Sequence, residues 1–182
     1  MARLIRPATW LGGCLAALAF TGALAAEGPS GYRSAEFGMT YETVMAELEG
    51  DEAVVNLTAD ENAEGDRLID GQLQAEEAPA TDLRYVFPSG SDGLALVLTF
   101  HPDVAQRAAI VEQLEARYGE PWEQEMADWW FDQLKEGMPE PPQSLTVWGG
   151  SGEGKTQRGR FVRLWTFDDY LSVEYLDTQR FE

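Results

Sequence analysis

The run Asp92–Trp122, DGLALVLTFHPDVAQRAAIVEQLEARYGEPW, decides the fold. Leu94, Leu96, Leu98 and Phe100 alternate with Ala95 and Val97, so both faces of the segment are apolar. A strand of that kind needs cover on both sides, which places it in the middle of a sheet. After Pro102 the period changes: Val104, Ala108, Val111, Leu114 and Tyr118 recur at helical steps, while Gln106, Arg107, Glu112, Glu115 and Arg117 take the outer side. Asp103 suits the helix N-terminus, Arg117 the C-terminus, and Gly119 followed by Pro121 stops the helix.

Downstream, Trp122–Lys135 carries Trp122, Met126, Trp129 and Trp130 on a broad stripe and reads as a further helix, broken by the Pro-rich run 137–142. Strands follow at Leu145–Trp148, Phe161–Phe167 and Tyr170–Leu176, separated by the glycine-rich 151–159 and by Asp168-Asp169. Upstream, Leu83, Tyr85 and Phe87 alternate with Arg84 and Val86, and the turn-rich 88–93 makes a hairpin into the central strand. Ala53–Thr58 is a strand, and Thr40 caps a short helix in which Val44 and Leu48 share a face before Gly50. The expected order is α-β-β-β-α-α-β-β-β, an α+β domain over residues 37–182 with a mostly antiparallel sheet and helices packed on one face. Residues 59–81 are acidic, with only Leu68, Ile69 and Leu73 as anchors, and read as an acidic loop or a poorly ordered edge hairpin. Residues 26–36, AEGPSGYRSAE, read as a flexible leader.

Residues 1–25 have the form of a cleavable secretory signal. Arg3 and Arg6 precede an uncharged apolar run, and Ala23-Leu24-Ala25 offers a small-x-small cleavage site. The expected location is therefore the periplasm or the exterior, with no membrane-spanning segment once the signal is removed. Lipoprotein anchoring at Cys14 is disfavoured, because the apolar run lies after that cysteine rather than before it. Cys14 is the sole cysteine and His101 the sole histidine, which excludes disulfides, thiol catalysis and histidine-rich metal centres from the exported chain. The formal net charge of −19, from 32 acidic and 13 basic residues, disfavours nucleic acid and anionic membranes and favours basic protein partners or weak divalent-cation condensation.

The element FGMTYETVMAELEG (Phe37–Gly50) resembles the Gly-Met-Thr opening of the small accessory lipoprotein of the outer-membrane β-barrel assembly machinery and of β-lactamase-inhibitor-like proteins. LRYVF, GLALVLTF, LEARYGEPW, RLWTF and LSVEYL are similar to elements of uncharacterised secreted bacterial α+β proteins. The resemblance implies an α+β fold, an envelope compartment and a non-enzymatic adaptor or inhibitor, and it carries no active-site residues.

Five motifs invite chemistry. Gly149–Thr156 matches a phosphate-binding loop in letters, but that chemistry needs a helix after the threonine, and QRGRFVRLWTF has strand character, so it reads as a hairpin tip. His101-Pro102-Asp103, the tripeptide of J-type co-chaperones, here joins strand to helix and reads as a helix start. Asp60, Asn62, Glu64 and Asp66, with Gly65 in the sixth position, approach the spacing of a calcium loop, although the twelfth position is Gly71 rather than Glu. These four are weak metal candidates. Trp122, Trp129, Trp130 and Phe131 form either a core stripe or an anchor patch for a partner, and adjacent Trp129 and Trp130 point about 100° apart on a helix. Lys155, Arg158, Arg160 and Arg163 concentrate positive charge in one short stretch, as an acidic-partner site or as intramolecular ion pairs.

No cofactor-binding or catalytic pattern is left, and the expected function is binding of another envelope or secreted protein. Trp129, Trp130, Lys155, Arg158 and Arg160 are the candidate contact residues. The alternatives are an envelope-glycan hydrolase using an Asp/Glu pair, for which spacing offers no support among so many carboxylates, and a weak calcium-binding module.

Overall fold

The computed structural model describes residues 28–74, 80–150 and 158–181. Residues 1–25, the expected signal, which include Cys14, lie outside them, as do Ala26 and Lys155. In chain order the elements are β1 (Gly31–Tyr32), β2 (Ala35–Glu36), α1 (Tyr41–Glu49), β3 (Val54–Glu61), β4 (Arg67–Leu73), β5 (Thr81–Phe87), β6 (Leu96–His101), α2 (Arg107–Tyr118), α3 (Gln124–Leu134), β7 (Ser144–Gly149), β8 (Arg160–Thr166) and β9 (Leu171–Asp177). β1 and β2 form a small hairpin, and the other seven strands form one antiparallel sheet in the order β3-β4-β5-β6-β9-β8-β7. The doubly apolar strand β6 is its middle member, as a segment needing cover on both faces must be.

Buried side chains segregate into two clusters on opposite faces of the sheet. The first joins Val44 and Leu48 of α1 and Ile110, Leu114 and Tyr118 of α2 to Ile69, Leu83, Tyr85, Val97, Val162, Leu164, Val173 and Tyr175. The second joins α3 to Leu145, Val147, Phe161, Trp165 and Leu176. On β8 the two sets alternate, Phe161 and Trp165 against Val162 and Leu164, as strand geometry requires. The helices are therefore divided between the faces, and the expectation of helices on one face is not met. The sequence pattern of β8 explains the division: apolar residues on both sides of one strand call for a layer on each.

Three further expectations change. Of the run 59–81, residues 59–73 take the edge-hairpin alternative rather than the loop: β3, the outermost strand, continues to Glu61 and pairs with β4, whose Leu68 and Ile69 are buried. Its strand character is hard to read because Asp70 and Gln72 point to a part of the second face that no helix covers. Gly71 interrupts the apolar side, where a side chain would meet Leu57 Cδ2 at 3.0 Å. The leader is ordered from Gly28 and includes the β1–β2 hairpin: Ala35 is fully buried and the Tyr32 ring lies 4.7 Å from that of Tyr175. Two anchors in a Gly/Ser-rich run are too few to show a period. Finally, α2 buries Ile110, Leu114 and Tyr118 and leaves Val104 and Ala108 exposed. Its first turn is a 3₁₀ segment capped by Asp103, whose carboxylate accepts from Ala105 N at 2.9 Å, so the regular helix starts only at Arg107.

Candidate functional site

α3 packs through the i, i+3, i+4, i+7 stripe of Ala127, Trp130, Phe131 and Leu134. Trp130 lies 5.4 Å from both Trp122 and Phe161, centroid to centroid, and Trp122 meets Phe161 edge-on at 5.6 Å. Trp122 is itself fixed to the outer edge of β7: its backbone N donates to Val147 O and its indole Nε1 to Gly149 O, each at 2.8 Å. This aromatic triangle holds the helix rigidly on the sheet. One position away, Trp129 is 62 % exposed, and Met126, three residues before it on the same side, is 52 % exposed. Of the two tryptophans proposed from sequence as contacts, Trp130 therefore belongs to the packed layer and Trp129 to the surface. The 100° step between neighbours on a helix is what separates them.

The surroundings of Met126 and Trp129 are acidic. Glu125, Asp128 and Asp132 are exposed on the same helix, and at its start a shallow groove of about 630 Å³ runs between the ends of α2 and α3, lined by Glu115, Glu120, Glu123, Gln124 and Trp122. Part of this charge is locally engaged: Lys135 Nζ pairs with Asp132 and Gln124 Nε2 donates to Asp128, both at 2.7 Å. The arrangement is an apolar anchor pair rimmed by carboxylates. It suits a cationic segment that brings an apolar pocket, since an indole face attracts ammonium and guanidinium groups and the rim attracts them from a distance.

Two of the described members of the basic run are paired internally. Antiparallel register sets Arg160 opposite Asp177 and Arg163 opposite Glu174, and both pairs close, at 3.1 and 2.6 Å. Arg160, proposed as a contact, is thus an internal partner, and Arg158 is exposed just before β8. The first described residues after Thr156 form a turn and strand β8 rather than the helix that phosphate binding requires.

The calcium-like loop closes on itself. Asn62 Oδ1 accepts from Glu64 N and Asp66 N, Asn62 Nδ2 donates to Asp66, Asp66 also accepts from Ser89 N, and Asp60 accepts from Glu61 N. Its oxygens serve a β3–β4 turn rather than converging, and among the described residues no group of three His, Cys, Asp or Glu side chains is placed to hold a metal. His101 ends β6 with Nε2 2.9 Å from Thr99 Oγ1, and burial pulls its imidazole below the ordinary value against a Gln106 hydrogen bond that raises it.

A feature that sequence reasoning missed is the uncovered half of the second face. Over β4, β5 and β6 a groove of about 480 Å³ is lined by Asn56, Asp70, Gln72, Asp82, Arg84 and Phe100. Its polar groups hold one another: Asn56 donates to Gln72, Gln72 to Asp82, and Arg84 clamps Asp70 through two bonds of 2.7 and 2.9 Å. The two carboxylates are engaged separately rather than facing each other across a cleft, which is not the disposition of a glycosidase pair. Only cross-strand register brings these residues together, and no local spacing reveals it.

No protein-family model matches this chain, and neither a curated protein nor a solved structure is similar to it at a meaningful level. Among the described residues no helix is long and apolar enough to cross a membrane.

Proposed function

We propose that this is an exported, non-enzymatic binding protein that docks a cationic segment of another envelope or secreted protein on α3. The observation that carries this reading is Trp129: an indole left 62 % exposed beside an exposed methionine, on a helix whose other aromatics are locked into the sheet. Covering the exposed part of such a side chain is worth about 2–3 kcal/mol. The rigid base means that little ordering entropy is lost on binding, a recognised source of affinity. The signal-like N-terminus and the resemblance of Phe37–Gly50 to envelope adaptors support the compartment, and the net charge of −19 supports the sign of the partner.

The test is affinity capture from an envelope extract with the exported chain, compared with Met126→Ala/Trp129→Ala and repeated at low and high salt. The expected result is one defined basic protein retained by the wild type, weakened by salt and lost in the variant. Equal retention by the variant, or a partner indifferent to salt, contradicts the proposal.

A further inference from the structure

On the face of the sheet away from α3, a cleft of about 560 Å³ opens between the β1–β2 hairpin, Asp51 after α1, α2 and strand β9. Tyr32 and Tyr175 stand against each other in its wall, Ser34 lies beside them, and Gln113 and Arg117 reach in from α2. Arg33 is already committed, bound to Asp51 at 2.7 and 2.9 Å, an interaction that holds the Asp51 carboxyl below the usual carboxylate range. Arg117 makes no ion pair among the described residues. Its guanidinium stands 5.4 Å from the Tyr118 ring.

Ser34, in the cleft wall, carries an unpaired hydroxyl. Ser34 Oγ, Tyr85 OH and Tyr118 OH are buried with no hydrogen-bond partner, and Tyr85 and Tyr118 are 0 % and 4 % exposed. Such groups are rare in folded proteins, because a buried hydroxyl without a partner costs about 1–3 kcal/mol. Ser34 is the one of the three that lines the cleft, and its hydroxyl points to something that completes it. Burial raises all four phenols, Tyr32, Tyr85, Tyr118 and Tyr175, above the ordinary value. Neutral hydroxyl donors beside an unpaired guanidinium make a site for an acceptor that carries negative charge.

We infer that the cleft between the β1–β2 hairpin and α2 binds a small oxyanion, the carboxylate or phosphate group of a low-molecular-weight ligand, through Arg117 and the hydroxyls of Ser34, Tyr32 and Tyr175. In a chain this acidic, a cleft with two guanidiniums against one carboxylate is locally cationic. It is also independent of the α3 surface, so either assignment can fail without the other.

Inorganic phosphate and succinate are the probes, titrated by calorimetry and by thermal melting of the exported chain against sodium chloride of equal ionic strength. Arg117→Gln and Tyr175→Phe are the test variants, Arg158→Gln is the charge control, and circular dichroism checks folding. The expected result is a saturable rise in Tm with one or both probes beyond that of chloride, with affinity falling about tenfold in Arg117→Gln and unchanged in Arg158→Gln. Binding of phosphate alone or succinate alone identifies the anion. Shifts equal to those of chloride for both probes would mean that ordered water alone completes the hydroxyls, and would overturn the inference. Binding that Arg117→Gln and Tyr175→Phe leave intact would overturn it as well.

Discussion

Arg163 and Glu174 face each other across β8 and β9 beneath α3, 2.6 Å apart, with side chains only 14 % and 8 % exposed, and Trp165 Nε1 donates to the same carboxylate at 2.9 Å. The guanidinium Nε meets the oxygen off the hydrogen-bond line, so the contact is chiefly Coulombic and the indole supplies the directional bond. This pair lies in one cross-strand row with Asp70 and Arg84, and Leu98 of β6 stands between the two ion pairs.

Removing one member of that pair strands the other. Glu174→Ala is expected to destabilise the domain by about 3 kcal/mol in urea denaturation, because an unpaired buried guanidinium remains, whereas Arg163→Met/Glu174→Leu is expected to recover most of the loss. A double variant as unstable as the single one would show that the pair is required by packing rather than by charge.

The two adjacent tryptophans of α3 differ in what they hold. Trp130→Ala opens the triangle with Trp122 and Phe161 and is expected to cost about 3 kcal/mol, while Trp129→Ala is expected to stay within about 0.5 kcal/mol of the wild type. Comparable losses at both positions, measured by the same denaturation, would place Trp129 in the core and remove the proposed anchor.

His101 links stability to pH. Its folded value is depressed by burial, so the unfolded chain binds the extra proton first: the contribution is complete above the unfolded value of about 6.5 and is lost as pH falls toward the folded value. The fall in Tm from pH 7.5 to 5.5 should therefore be smaller in His101→Gln than in the wild type. Identical pH dependence in the two proteins would show that His101 does not titrate against the fold.

Calcium tests the acidic turn. With the oxygens of Asp60, Asn62 and Asp66 already accepting backbone and side-chain donors, millimolar calcium is expected to shift Tm no further than sodium at equal ionic strength. A clear excess shift would mean that the turn opens to coordinate the ion.

What the sequence shows and what it conceals follow from how far each signal reaches. The middle strand, the helix stop at Gly119 and the split between Trp129 and Trp130 are matters of period and capping within a few residues. Strand β4 is hidden because Gly71 leaves a gap on its buried face and Leu68 interrupts the polar one, so little alternation survives. The division of the helices between faces rests on Phe161 and Trp165 pointing opposite to Val162 and Leu164, visible locally but decided by which helix meets which side. The Asn56–Gln72–Asp82 network and the meeting of Tyr32 with Tyr175 in the Arg117 cleft exist only through pairings distant in the chain.

A photo-crosslinking residue placed at Trp129, with a second protein carrying it at exposed Glu64 of the β3–β4 turn, tests the docking proposal most directly. In cells, position 129 should yield one dominant adduct that maps to a Lys/Arg-rich segment of an envelope or secreted protein and is absent from position 64. No adduct at 129, or the same adducts from both positions, would contradict docking on α3.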